Sequence, residues 1–150
     1  MFDFFKRSIL VHSPVDGDIV ALDRVCDEVF SSKMAGDGVA VIPSSSIFCS
    51  PIDGKILRIF PTKHAFSIEN RGVEILVHIG IDTVELNGEG FLALRAVGDS
   101  VKVGDAIIEV DLDYLKSMGK DTITPIVVME KPVRDMKFGL VERGDLIFKV

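Results

Sequence analysis

An all-β, single-domain fold is what the sequence predicts: an antiparallel sandwich or distorted barrel with a duplicated β-unit and one or two short helical turns. Three observations carry this. Short runs rich in β-branched residues recur along the chain between turn signals. SPVDGDIV at 13–20 is echoed by SPIDGKIL at 50–57, and VGDAIIEV at 103–110 by RGDLIFKV at 143–150. Helical spacing stands out in a single stretch, DLDYLKSMGK.

The elements follow in order. A strand is expected at 9–11 (Ile-Leu-Val), then at 18–22 behind the first Pro/Asp-Gly turn and at 38–42 behind Gly36-Asp37-Gly38. The second Pro/Asp-Gly turn launches 54–59. Strands 65–69 and 73–79 flank Asn70-Arg71-Gly72, and 91–95 follows Gly88-Glu89-Gly90. The helix comes after strand 107–110, with Asp111 or Asp113 as N-cap and Gly119 as its stop. Strands at 124–129 and 146–149 close the chain, and KPVRDMKFG at 131–139 is assigned one more helical turn. No linker or low-complexity stretch divides residues 1–150, which are expected to form one domain.

Composition removes several function classes. The chain has 150 residues, 47% of them hydrophobic, the share of a globular protein rather than a disordered one. Seventeen basic against 23 acidic residues give a formal charge of −6 with no Lys/Arg run, which argues against a nucleic-acid partner. Cys26 and Cys49 lack CxxC spacing and read as reduced thiols of a cytoplasmic protein. The start, MFDFFKRSILVHSP, has neither a signal-peptide h-region nor a cleavage site, and no segment reaches the ~20 apolar residues of a membrane span. Residues 1–8 are expected to be a loosely ordered tail. Phe2, Phe4, Phe5 and Ile9 suit an interfacial helix, but one too short to hold by itself.

The chemistry concentrates in HAFSIENRGVEILVHIG, 64–80, which holds two of the three histidines. A three-residue loop, Asn70-Arg71-Gly72, with Gly72 left-handed, places His64 directly across from His78, whereas a two-residue loop would shift the pairing by one. It puts Phe66 and Leu76 on the histidine face, and Ala65, Ser67, Ile75 and Val77 on the other. A structural or merely exposed pair is the bland alternative. Zinc lacks a third ligand, since His-x-His would need histidine where Gly80 stands, and there is no HExxH. GxSxG, GxxxxGK[ST] and GxGxxG are all missing. A phosphoryl-carrying histidine fits the chemistry: neutral imidazole is a nucleophile near pH 7, and a second ring can stabilise the transferring group. Residue types alone permit this reading without singling it out.

The block THxAFSIExxxGVEILVHxGIDTVELxGEGF, over Thr62–Phe91, resembles the glucose-type IIA component of the bacterial phosphoenolpyruvate:sugar phosphotransferase system. The resemblance runs on through SPVDGDIV, DEVFSSKMAGDGVAVIP, SPIDGKI, VKVGDAIIEVDLDYL and TPIVV, nearly the whole chain. It implies a phosphotransferase component that takes a phosphoryl group from the carrier protein HPr and passes it to the IIB domain of a sugar permease. His78 maps to the phosphoryl acceptor and His64 to the supporting histidine. Thr62 maps to the residue that orients His64, and Gly80 to the carbonyl that takes the Nδ1 proton of His78. Leu76 stands where relatives often have phenylalanine, and His12 where they have a small residue. A start at Met1 fits a free protein rather than one cut from a fused permease.

A carrier must release its partners, so its docking face should be small and ringed by apolar side chains. Val29, Phe30, Met34, Ala35, Phe60, Leu76 and Val84 are the candidates, with ordinary core packing as their alternative. Asp27 and Asp82 would add a negative rim that speeds encounter with a basic partner. No cofactor is required, and zinc is expected on His64 and His78 only where a partner supplies a further ligand. A monomer without stable membrane insertion is expected. Two other readings stand beside this one: a regulatory module docking on permeases or kinases, and a zinc hydrolase on a similar β-fold.

Overall fold

The computed structural model describes residues 8–150. Its strands are β1 (Leu10–His12), β2 (Gly17–Ala21), β3 (Asp37–Pro43), β4 (Ile47–Cys49), β5 (Gly54–Ile59), β6 (Ala65–Asn70) and β7 (Val73–His78). After these come β8 (Phe91–Ala93), β9 (Ser100–Val101), β10 (Ala106–Val110), β11 (Thr124–Val128), β12 (Gly139–Val141) and β13 (Leu146–Lys149). They form an eight-stranded sheet in the order β12-β2-β3-β11-β7-β6-β5-β9, a three-stranded sheet β4-β10-β8 and the pair β1-β13, antiparallel throughout. The result is a β-sandwich, not a closed barrel.

Period-two alternation decides what fills it. Ile19, Val41, Phe66, Ile68, Ile75, Val77 and Ile126 face inward and meet Phe48, Ile107, Ile108 and Phe148 in the main core. The outer face of the large sheet carries a smaller cluster. There Val20, Ala40 and Val127 are covered by the 3-10 turn Leu22–Arg24 and the helix α1 (Glu28–Ser31), through Leu22, Val25 and Phe30.

The sequence echoes are a structural duplication. Ser13 Oγ donates to Val15 O (2.7 Å) as Ser50 Oγ does to Ile52 O (2.6 Å). Asp16 accepts from Arg143 N as Asp53 accepts from Val103 N, each at 2.8 Å. The two loops then clasp one another, His12 N donating to Pro51 O and Cys49 N to Pro14 O. Each repeated Pro/Asp-Gly turn is therefore stapled to one of the repeated Gly-Asp turns.

The helix α2 (Leu112–Ser117) is capped by Asp111, which accepts from Tyr114 N, and stops before Gly119 at φ +76°. Three short strands, β4, β9 and β12, and helix α1 were not foreseen, because pieces of two to four residues show no periodicity. No helical turn forms at 131–139. That segment runs extended beside β13, with Arg134 and Lys149 exchanging backbone hydrogen bonds. Of the expected tail, residues 1–7 with Phe2, Phe4 and Phe5 lie outside the described residues, while Ile9 is buried. No helix among the described residues is long and apolar enough to cross a membrane.

Candidate functional site

The hairpin register differs by one residue from the sequence expectation. Asn70 pairs with Val73 and Ala65 with His78, so the loop is the two-residue Arg71-Gly72, both at positive φ (+49° and +78°). That is a type I′ turn, and it obliges a non-glycine to sit left-handed at a cost of about 1–2 kcal/mol. The gain is larger. In this register Phe66 and Ile68 join Val73, Ile75 and Val77 on the core face, each apolar side chain worth about 1.5–3 kcal/mol buried. Ala65 and Ser67 consequently share the outer face with Leu76 and His78, and Phe66 does not.

His64 therefore lies one residue before β6, not opposite His78. A tight turn recovers the contact. Lys63 N donates to Phe60 O at 2.7 Å, Lys63 sits left-handed at φ +59°, and His64 O accepts from Ile79 N at 2.7 Å. The chain is thus folded back at its entry to β6, and the two imidazoles meet edge to face with centroids 4.9 Å apart. Phe60 packs on His64 at 5.4 Å and Phe30 on His78 at 4.8 Å, making a row of four rings.

Each imidazole has one nitrogen engaged. His78 Nδ1 lies 2.8 Å from Gly80 O; a carbonyl only accepts, so Nδ1 carries the hydrogen and Nε2 of the neutral ring keeps its lone pair. Gly80 is required for this bend. It sits at φ +74°, and a Cβ there would come within 2.6 Å of Thr83 Cγ2 and 2.9 Å of Asp121 O. Thr83 Oγ1 donates to Ile79 O and Ile81 N to Asp121 O, which pins the bend from both sides. His64 Nδ1 lies 2.6 Å from Thr62 Oγ1.

Both rings are held neutral. Burial, with His78 as neighbour, lowers His64 from 6.5 to about 4, and the residue is only 4% exposed. Burial also lowers His78, opposed by the Gly80 carbonyl and by the charges of Asp27 and Asp82.

The residues expected in the apolar ring differ in exposure. Val29, Met34 and Val84 are 46%, 74% and 50% exposed, while Ala35, Phe60 and Leu76 are half-buried. Phe30 is corrected: at 6% exposed it belongs to the outer cluster and offers a partner almost nothing. Asp27 caps α1, accepting from Val29 N at 2.9 Å, and Asp82 is exposed at φ +59°. Sequence reasoning missed Lys63, Thr83 and Asp121, whose parts are played by backbone conformation and loop contacts. The Thr83 hydroxyl, three residues after Gly80, was the one available signal. No group of three metal-ligating side chains forms among the described residues. A depression of about 860 Å³ lies elsewhere, lined by Ser44, Ser46, Leu92, Glu109 and Asp113, and contains neither histidine.

Two comparisons place this chain and its fold among known proteins. The family model described as phosphoenolpyruvate-dependent sugar phosphotransferase system, EIIA 1, matches residues 9–133. The solved structure of glucose permease IIA from Mycoplasma capricolum is similar with a TM-score of 0.90 and 42% sequence identity, over 97% of this chain and 97% of that one.

Proposed function

Because the chain belongs to the EIIA 1 family of the phosphoenolpyruvate-dependent sugar phosphotransferase system and is thus a phosphoryl carrier in sugar transport, we propose that His78 is the residue that carries the phosphoryl group. The observation that carries this reading is the His78 Nδ1 to Gly80 O hydrogen bond, which leaves Nε2 as the nucleophile beside a second imidazole.

Residues 1–150 act as a single IIA phosphocarrier domain, cytoplasmic and monomeric. HPr is the donor. The Nε2 lone pair of His78 forms a bond to phosphorus as the bond from phosphorus to the donor breaks, and that electron pair stays with the donor. In the second half-reaction the acceptor on the IIB domain of a sugar permease attacks phosphorus, and the pair of the breaking N–P bond returns to Nε2. Phosphoryl transfer asks mainly for alignment and charge stabilisation.

Thr62 donates its hydroxyl hydrogen to His64 Nδ1, so that Nε2 of His64 carries the proton and donates to the phosphoryl oxygens. Val29, Met34, Ala35, Phe60, Leu76 and Val84 form the docking surface, rimmed by Asp27 and Asp82. An interface of this kind, below ~1,200 Å², suits a partner that must leave again. Two free imidazole nitrogens are half of a tetrahedral zinc set, so zinc would be held by His64 and His78 only with ligands from a partner.

The test is incubation with phosphoenolpyruvate, the system's first enzyme and HPr, followed by mapping of the label. His78→Gln should take up no phosphate. His64→Gln should accept phosphate yet pass it on slowly. Acid-labile, base-stable phosphate on the His78→Gln protein would contradict the assignment.

A further inference from the structure

Among the rings of the site, Phe30 has the contact that no step above uses. It sits in a four-residue helix, far too short to persist unaided, and is held there by the Asp27 cap and by burial against Leu22, Val25, Ala40 and Val127. Its ring lies 4.8 Å from that of His78 at an interplanar angle of 52°, a tilted packing within the favoured range.

We propose that Phe30 is a positioning residue: its ring is the wall that keeps the His78 imidazole turned onto the Gly80 carbonyl, with Nε2 directed outward. This rests on the reading of His78 as the phosphoryl acceptor. The geometry requires such a wall. His78 stands on the outer face of the sheet, where its direct cross-strand neighbour is Ala65, whose methyl group gives no lateral support. The single hydrogen bond to Gly80 is the one polar restraint on the ring, and a lone hydrogen bond is worth only about 0.5–1.5 kcal/mol net against its rotation. His64 touches His78 on one side only, edge to face at 4.9 Å. Phe30 is the remaining ring in contact, and its 6% exposure keeps it in place whether or not a partner is bound. It acts through His78 rather than on a partner.

The experiment compares Phe30→Leu, which fills the space without a flat face, with Leu22→Ala, which loosens the same cluster away from the ring. Long-range nitrogen–proton NMR spectra read the His78 tautomer, and steady-state transfer from phosphorylated HPr gives kcat and KM. Phe30→Leu should blur the pure Nδ1–H signature and lower kcat roughly ten- to hundred-fold, as expected of a slightly misplaced reacting atom, with KM for HPr unchanged. Leu22→Ala should leave spectrum and kcat near wild type. An unchanged spectrum and kcat in Phe30→Leu, a rise in KM alone, or the same defect in Leu22→Ala would overturn the proposal. Label on a residue other than His78 in the wild-type protein would instead overturn the acceptor assignment, and the spectra would still report whether Phe30 holds the ring.

Discussion

Acidification should destabilise this protein, and the part that comes from His64 can be isolated. Its imidazole is buried and neutral, with the pKa lowered from 6.5 to about 4 by desolvation and by His78. Between these values the unfolded chain binds a proton that the folded one refuses. Stability from the neutral ring is therefore complete above pH 6.5, drains away as pH falls, and is gone near pH 4. At ~1.4 kcal/mol per pH unit of pKa difference the full effect is on the order of 3 kcal/mol, or roughly 6–12 °C in Tm for a domain of this size. The assay is urea or thermal unfolding of wild type and His64→Gln at several pH values from 7 to 4. The gap between wild type and variant should shift against wild type by that amount over the interval, and His64 ring resonances should titrate near 4. A gap independent of pH, or a His64 titration near 6.5, would refute the reasoning. Phosphorylation of His78 brings a dianion beside the ring, and the His64 titration should then move upward.

Three further outcomes are expected. Gly80→Ala should cost about 2–3 kcal/mol, since it places a methyl against Thr83 and Asp121 O in a left-handed backbone, and it should lose phosphoryl acceptance as the carbonyl turns away; unfolding curves and label uptake check both. Thr62→Val removes the partner of His64 Nδ1 and should slow transfer to the acceptor by roughly ten- to hundred-fold while acceptance on His78 persists, measured by single-turnover chase. Met34→Asp and Val84→Asp should weaken HPr binding by at least about tenfold without altering the fold, whereas Asp82→Asn should mainly reduce the association rate and its salt dependence, by titration and stopped flow.

The hairpin shows how local and tertiary information divide. Its two strands, its polar turn and its two histidines were legible from residue types, yet the pairing came out one residue away. Locally, Asn70-Arg71-Gly72 suits a three-residue loop, and a two-residue loop is the alternative that would shift the pairing by one. The competing term is non-local: only the Arg71-Gly72 turn delivers Phe66 and Ile68 to the same buried face as Ile75 and Val77. The meeting of the histidines was expected for a reason that fails, direct opposition, and occurs for another, the backward fold at 60–63. Phe30 was read as a surface residue because a lone phenylalanine in a four-residue helix carries no periodic sign of which way it points. Segment 131–139 was assigned a helical turn, while its real partner is β13, with Arg134 bonded to Lys149 and Lys137 to Ile147.

By itself the sequence determined what acts over a few residues: where turns fall, which runs alternate, that a Pro/Asp-Gly unit occurs twice, and which side chains carry reactive nitrogen. The tertiary structure alone decided the strand register and the burial of His64. Those depend on apolar area removed from water, a sum over residues distant in the chain.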